Sequence, residues 1–269
     1  MTDTSKQDED DAPFALTRGA GPIVAAAIHA GTRVRDEVAG MFAISEPNRL
    51  REEDPFTDYW TDIVPNQIVG RRSRFEIDLN RERPSAIYLD PNDSWGLQVW
   101  KASPATDVLN RSYAIHDTFY ANVKAHLDDL QRRYGRFIVL DLHSYNHRRD
   151  GPHTDPAAPH LNPEVNIGTF SMDRAYWAPI VDSFMSSLAE FDYGGRRLDV
   201  RENVRFQGRG EFARFIHSNF PESGCCLAIE LKKFFMDEWT GEPYETELNS
   251  IREALASTIP VLNRKLNEL

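Results

Sequence analysis

Along the chain, short apolar runs alternate with longer stretches in which apolar residues recur every three or four positions. GPIVAAAIHAG (21–31), FIVLDL (137–142) and the start of CCLAIELKKFF (225–235) have the length and composition of buried strands. RFEIDL, within GRRSRFEIDLNR (70–81), alternates apolar and polar residues as a half-buried strand does, and RLDVRENVRF (197–206) reads as another strand. Between them, RSYAIHDTFYANVKAHLDDLQRRYG (111–135) has helical spacing, basic residues in its last turn and Gly135 as a stop. AYWAPIVDSFMSSLAEF (175–191) and NSIREALASTIPVLNRKLNEL (249–269) are further amphipathic helices, the second with Pro260 as a place to bend. Strands alternating with helices predict an α/β domain whose parallel or mixed sheet is covered on both faces.

Composition sets the boundaries. The polar, acidic residues MTDTSKQDEDDA (1–12) read as a disordered tail. From residue 13 to 269 the composition is even and no Gly/Ser- or Pro-rich linker interrupts it, so a single domain is expected. The two cysteines, Cys225 and Cys226, are neighbours in an apolar run, which favours core packing in a reducing cytoplasm over a disulfide scaffold. No apolar run is long enough for a membrane helix, and the first residues lack the basic-then-apolar order of a secretion signal. A net charge of -11 argues against a nucleic-acid surface. It does not exclude an anionic small-molecule substrate, because a few arginines can reverse the field inside a pocket.

In open α/β sheets, ligands gather at the carboxyl ends of strands. His29, the pair Asn80-Arg81, and His143 all fall at such ends, while Glu230 lies within its strand. A lone histidine there is more often a hydrogen-bonded loop residue; two on separate strands suggest a metal, for which catalytic zinc takes three protein ligands plus water. Asp141 precedes His143 by two residues, so it shares a sheet face with it and can orient the imidazole. A third ligand has many candidates in NRLREEDPFTDYWTD (48–62), which contains Glu52, Glu53, Asp54, Asp58 and Asp62. Charge alone makes this a solvated loop, but Pro55, Phe56, Tyr59 and Trp60 indicate a packed segment, and spacing leaves the choice of acid open. Arg81 is suited to gripping a carboxylate, with Asn80 beside it. Glu230, in LAIEL, either pairs with Lys232 or Lys233 or faces a polar site, where burial would lift its pKa toward that of a general base.

With HAG, TD, IDLNR, DLHS and AIEL in this order, the chain resembles the N-formylglutamate amidohydrolase family from about Ile23 to Glu238, and more distantly the zinc carboxypeptidase and aspartoacylase group. The resemblance implies a three-layer α/β/α sandwich with a mixed, largely parallel central sheet (phosphorylase/hydrolase-like). It implies zinc-dependent hydrolysis of the amide of an N-acyl amino acid with a free carboxylate, such as N-formylglutamate. His29 and His143 would bind zinc. The distant relatives place an acidic ligand three residues after the first histidine; that position is Thr32 here, so the acid must come from elsewhere. Asp58, in the TD motif, is the expected ligand and Glu53 the second choice. Asn80 and Arg81 match the pair that holds the substrate carboxylate, and Glu230 matches the catalytic base and acid. NIGT (166–169) and NVRFQGRG (203–210) match segments near the pocket, with Arg209 in place of a family glycine and so a candidate substrate contact. The histidine- and arginine-rich stretch 144–160 either closes over the site or is a polar surface loop. The competing expectations are a metallopeptidase or deacylase acting on another N-acyl or peptide bond, and a carboxylate-binding module without catalysis.

Overall fold

The computed structural model describes residues 12–269; the segment read as a tail therefore lies outside the described residues, apart from Ala12. Among those residues one sheet of seven strands runs through the molecule: β1 (Phe14–Thr17), β2 (Ile23–Ala27), β3 (Asn66–Gly70), β4 (Phe137–Tyr145), β5 (Val165–Gly168), β6 (Val200–Glu202) and β7 (Gly224–Lys232), in the order β1-β3-β2-β4-β7-β5-β6. The central pairs β3-β2, β2-β4 and β4-β7 are parallel, while β1 and β5 join their neighbours β3 and β7 antiparallel. Parallel strands need crossovers, and the long helix α3 (Thr106–Tyr134) feeds directly into β4. Its buried positions Val108, Ser112, Phe119, Val123, Leu127 and Leu130 recur at helical spacing, and Gly135, at φ 78, turns the chain out of the helix. Helices α1 (Asp36–Ala39), α2 (Glu46–Glu52), α4 (Ala178–Glu190), α5 (Glu211–Asn219) and α6 (Glu245–Glu268) complete the set.

Side chains alternate across the strands and so divide the core in two. Ile138, Leu140 and Leu142 of β4 pack with Leu227, Phe184, Leu255 and Leu262, on the side covered by α4 and α6. Phe137 and Val139 pack with Cys226, Phe119, Leu127, Phe212 and Ile216, on the side covered by α3 and α5. The architecture is the expected three-layer α/β/α sandwich. Cys225 and Cys226 are both free and buried, one in each layer. No helix is long and apolar enough to cross a membrane.

Local expectations differ from the structure in informative places. The run RFEIDL is not a strand: residues 74–76 and 79–80 are turns. The alternation misleads because Glu76 and Asp78 are as buried as Phe75, Ile77 and Leu79, each held by charged partners rather than by water. The backbone closes on itself, with the amides of Glu76 and Ile77 donating to the Ser73 carbonyl. Strand β4 runs on to Tyr145, so His143 is part of it rather than beyond its end. Only Val200–Glu202 of residues 197–206 is strand, and β3 answers to no expected element.

One buried group makes the fold pH-sensitive away from the strand ends. The Cys226 amide donates to His217 Nε2 at 3.0 Å, so the ring proton sits on Nδ1, 2.9 Å from Ser171 Oγ. Burial pushes the His217 pKa from 6.5 down to about 4. Between those values the unfolded chain takes up a proton that the native state refuses. Stability present above pH 6.5 is therefore lost as pH falls toward 4, by about 3 kcal/mol in total. Urea midpoints measured from pH 7 to 4.5 should show this loss in the native sequence and a shallower slope in His217→Gln; equal slopes would remove His217 from the effect.

Candidate active site

The carboxyl ends of β2, β4 and β7 meet at one place. His29 leaves β2 two residues past its last ladder position, and His143 lies near the end of β4, directly opposite Glu230 of β7. Asp141, His143 and Glu230 all face the α3/α5 side by alternation. The two imidazoles stand edge to face, 4.9 Å between centroids, and both are buried.

The acid between them is Asp54. Its Oδ2 lies 3.1 Å from His143 Nδ1 and 3.5 Å from His29 Nδ1, and the three groups offer donor atoms within 4.8 Å of one another. Tetrahedral zinc with bonds of about 2.0–2.1 Å sets neighbouring ligand atoms roughly 3.3 Å apart, which the two measured separations bracket. His29 Nε2 donates to Asp78 Oδ1 at 2.7 Å, so Nδ1 carries a lone pair; that atom is buried and has no hydrogen-bond partner. His143 repeats the plan, with Nε2 3.0 Å from Asp141 Oδ1 and Nδ1 turned inward. Each imidazole thus has a carboxylate behind it and a nitrogen aimed at Asp54, the arrangement that orients metal-bound histidines. An unpartnered buried nitrogen beside a buried carboxylate and a second imidazole is a donor set that fits a divalent cation.

The electrostatics agree with that reading. Burial raises the Asp54 pKa, but the hydrogen bond with His143 and the closeness of both imidazoles outweigh it and keep the acid ionised. Burial likewise opposes ionisation of Asp78, and Arg74 and His29 overcome it. Burial depresses His143, yet Asp141, Asp54 and Glu230 hold its pKa well above the ordinary value. In Glu230 burial dominates, and its pKa is pushed up to about 7. A dication at this place would take over from the proton that Asp141, Asp54 and Glu230 favour on His143.

Asp54 is placed by its backbone. Its amide donates to the His29 carbonyl at 3.1 Å, and its carbonyl accepts from the Thr57 hydroxyl at 2.7 Å. Lys233, buried, donates to the carbonyls of Arg51 and Glu53, both at 2.7 Å. Glu53 is extended, so its side chain and that of Asp54 leave on opposite sides. It points to Arg49, 2.7 Å away, and to the Ser73 hydroxyl. Asp58, the expected ligand, is exposed and lines a surface cavity with Thr61 and Gln67. The acid that the fold brings to the imidazoles is therefore neither of the two expected ones. The extended bias of a residue before proline, here Pro55, was the local signal that Asp54 points away from its acidic neighbours. Asp78 was read as a strand residue and is in fact the partner of His29; only contacts distant in sequence reveal that.

The other expected residues lie around this cluster. Asn80 Nδ2 is 3.3 Å from His143 Nε2, and Asn80 Oδ1 accepts from the Phe212 amide at 3.0 Å. Gly210 packs so closely on this amide that a Cβ there would stand 2.3 Å from Asn80 Oδ1. The Arg81 guanidinium lies over the Tyr88 ring at 4.6 Å and donates to the Asp93 carbonyl at 2.6 Å. Arg209 is exposed, its guanidinium 3.8 Å above the Phe170 ring. Neither Lys232 nor Lys233 pairs with Glu230: Lys232 donates to the Asn162 carbonyl at 3.1 Å, and Lys233 is committed as described. Asn166, paired in register with Glu230, is buried and organises the segment before Gly210: its Oδ1 accepts from the amides of Val204, Arg205 and Phe206. The start of stretch 144–160 is anchored, with Glu238 accepting from the amides of His147 and Arg148, while residues 155–160 are exposed.

A three-layer α/β/α domain with paired acid-backed imidazoles and a half-buried glutamate at its strand ends has the make-up of a hydrolase. The chain matches the N-formylglutamate amidohydrolase family over residues 21–236 and belongs to that family. Its fold is similar to the crystal structure of N-formylglutamate amidohydrolase from Ralstonia eutropha JMP134, with a TM-score of 0.75 at 18% identity, covering 96% of this chain and 100% of that one. It is also similar to a gene product of Agrobacterium tumefaciens, with a TM-score of 0.62 at 14% identity, covering 94% and 97% respectively. No curated protein matches the chain.

The contrast between neighbouring acids is open to measurement. Metal-free protein titrated calorimetrically with zinc should take up one ion. Asp54→Asn should weaken this at least about tenfold, and Asp58→Asn should leave it unchanged. Zinc lost from Asp58→Asn but retained by Asp54→Asn would reverse the assignment.

Proposed function

We propose that the protein is a zinc-dependent amidohydrolase that cleaves the amide of an N-acyl amino acid, N-formyl substrates first among them. The observation that carries this is the convergence of His29 Nδ1, His143 Nδ1 and Asp54, with Glu230 opposite His143 in register. His29, Asp54 and His143 would hold the ion. When bound, it supplies a Lewis acid for the amide carbonyl and lowers the pKa of water toward ~7.

The remaining work falls to side chains of this chain. Glu230, with a pKa near 7, can accept the proton of the attacking water at neutral pH and return it to the leaving amine. Asp78 keeps His29 in one tautomer and orientation, and Asp141 stands 3.0 Å from His143 Nε2 on the side away from Asp54. Arg81 would bind the substrate carboxylate, its guanidinium steadied over the Tyr88 ring and by one bond to the Asp93 carbonyl, with the Asn80 amide beside it. Arg209, on a segment packed against Asn80, is a further candidate contact. Positioning of this kind can contribute roughly 7 kcal/mol to lowering the barrier. A deacylase for other N-acyl groups would use the same residues, and a panel of N-formyl, N-acetyl and dipeptide substrates separates the two.

In Glu230→Gln, release of formate from N-formyl amino acids should fall about 10²–10⁴-fold while zinc content stays at one per chain. Zinc loss in that variant, or undiminished turnover, would remove Glu230 from the base role. Arg81→Ala should raise KM if the grip is equal in ground and transition states, and lower kcat as well if it aligns the amide. No change in either constant would place the carboxylate elsewhere.

A further inference from the structure

A buried tyrosine needs a partner for its hydroxyl, because an unbonded one is costly to take out of water. In SAIYLDPND (85–93), Ala86, Ile87 and Tyr88 are buried while Leu89 is exposed. The Ala86 carbonyl accepts from the Asp78 amide at 2.7 Å, which lays this segment along the turn that carries Asp78, Asn80 and Arg81. The Tyr88 ring packs edge-on against Phe75, 5.7 Å between centroids, and the Tyr88 carbonyl accepts from Trp100 Nε1 at 2.8 Å. Packing alone would be served as well by phenylalanine.

What phenylalanine would lack is the hydroxyl, and that group meets the carboxylate behind His29. It donates to Asp78 Oδ2 and accepts from Arg74 Nε at 3.0 Å, so its proton has one direction to point. Arg74 Nη2 reaches the same Asp78 oxygen at 2.9 Å. The other oxygen, Oδ1, takes His29 Nε2 and the Asn80 amide, both at 2.7 Å. Four donors therefore set the plane of one buried carboxylate, and that plane orients the His29 ring. Without the hydroxyl, Asp78 loses a donor and Arg74 Nε loses its acceptor, so the ion pair behind His29 is less firmly held.

The ring of the same residue carries Arg81. The guanidinium lies 4.6 Å from the Tyr88 centroid, and Arg81 Nε stands 3.8 Å from Asp78 Oδ2. A bond from Nη2 to the Asp93 carbonyl at 2.6 Å adds to this support. The Arg81 side chain is 31% exposed, so the aromatic face is a broad surface that restrains it from swinging into solvent. One buried side chain thus touches both halves of the site. Its ring lies under the cation that would grip the substrate carboxylate, and its hydroxyl binds the anion that orients a metal-binding imidazole.

We propose that Tyr88 is a positioning residue shared by the metal site and the substrate grip, its hydroxyl acting through Asp78 on His29 and its ring acting on Arg81. The ring's role rests on the amidohydrolase reading and deepens it; the hydroxyl's role rests on the metal cluster alone. The test separates the two with Tyr88→Phe, which keeps the ring, and with Tyr88→Met and Tyr88→Leu, two ways of refilling the space without one. Zinc affinity of metal-free protein, read by calorimetry, should weaken about tenfold in all three variants. In Asp78→Asn protein, adding Tyr88→Phe should cost no further zinc affinity. The dissociation constant of N-formylglutamate for zinc-saturated Glu230→Gln protein should stay within about twofold when Tyr88→Phe is added. It should rise about three- to tenfold when Tyr88→Met or Tyr88→Leu is added. A purely structural tyrosine would leave Tyr88→Phe at native zinc affinity, and that result overturns the hydroxyl's role, as does an equal loss in the Asp78→Asn background. Substrate affinity lost equally with and without the ring, or in neither case, overturns the ring's role. Native zinc-loaded protein that hydrolyses no N-acyl amino acid overturns the amidohydrolase reading and the ring's role with it, while the zinc comparison still decides the hydroxyl's.

Discussion

Asp54 is the point on which the site depends. A carboxylate buried between two imidazoles is costly to desolvate unless it remains charged and compensated. Here the compensation is local: His143 and His29 keep it ionised, while Asp78 and Asp141 hold those rings from behind. Each member of the cluster is tolerable only because of the others. Such a network favours one arrangement of three chain segments that are far apart in sequence.

The parallel centre of the sheet explains how those segments meet. Strands β2, β4 and β7 run side by side, so their carboxyl ends emerge together, and the β4-β7 register sets His143 against Glu230. The acid has no strand of its own. It arrives on the segment after α2, clamped to the His29 carbonyl on one side and by Lys233 on the other. A buried ammonium spent on two backbone carbonyls is a structural use of charge, and it draws the end of β7 toward the loop that bears Asp54. The same economy governs the rim, where Glu52, Arg149, Arg74 and Asp78 neutralise one another and leave aromatic surface exposed.

Much of the scaffold was legible because it follows local rules. The helix ending at Gly135, the buried runs of β2, β4 and β7, and the layering of helices on both faces of the sheet come from periodicity and from one glycine's left-handed turn. The run 74–79 misled for a definite reason: alternation signals a strand only when its polar positions meet water, and Glu76 and Asp78 meet arginines and a histidine instead. Strands β1 and β5, of four residues each, and β3, with polar residues at two of its five positions, carry too little apolar pattern to stand out. Of the candidate site, the two histidines, Asp141, Asn80 and Glu230 come together at the strand ends, whereas the acid came one residue after one expectation and four before the other.

From the residues alone, the chain determined its class of fold, the strand ends that would matter, and the residue types that would gather there, since these depend on hydrophobic period and on the chemistry of imidazole, carboxylate and guanidinium. Which acid of five faces the histidines, which carboxylate stands behind His29, and which cations remain free at the rim were decided only by tertiary structure. The reason is that charge pairing is a property of distance in space. Residues 54 and 143, or 52 and 149, carry no mutual signal until the sheet and its loops have brought them within bonding range.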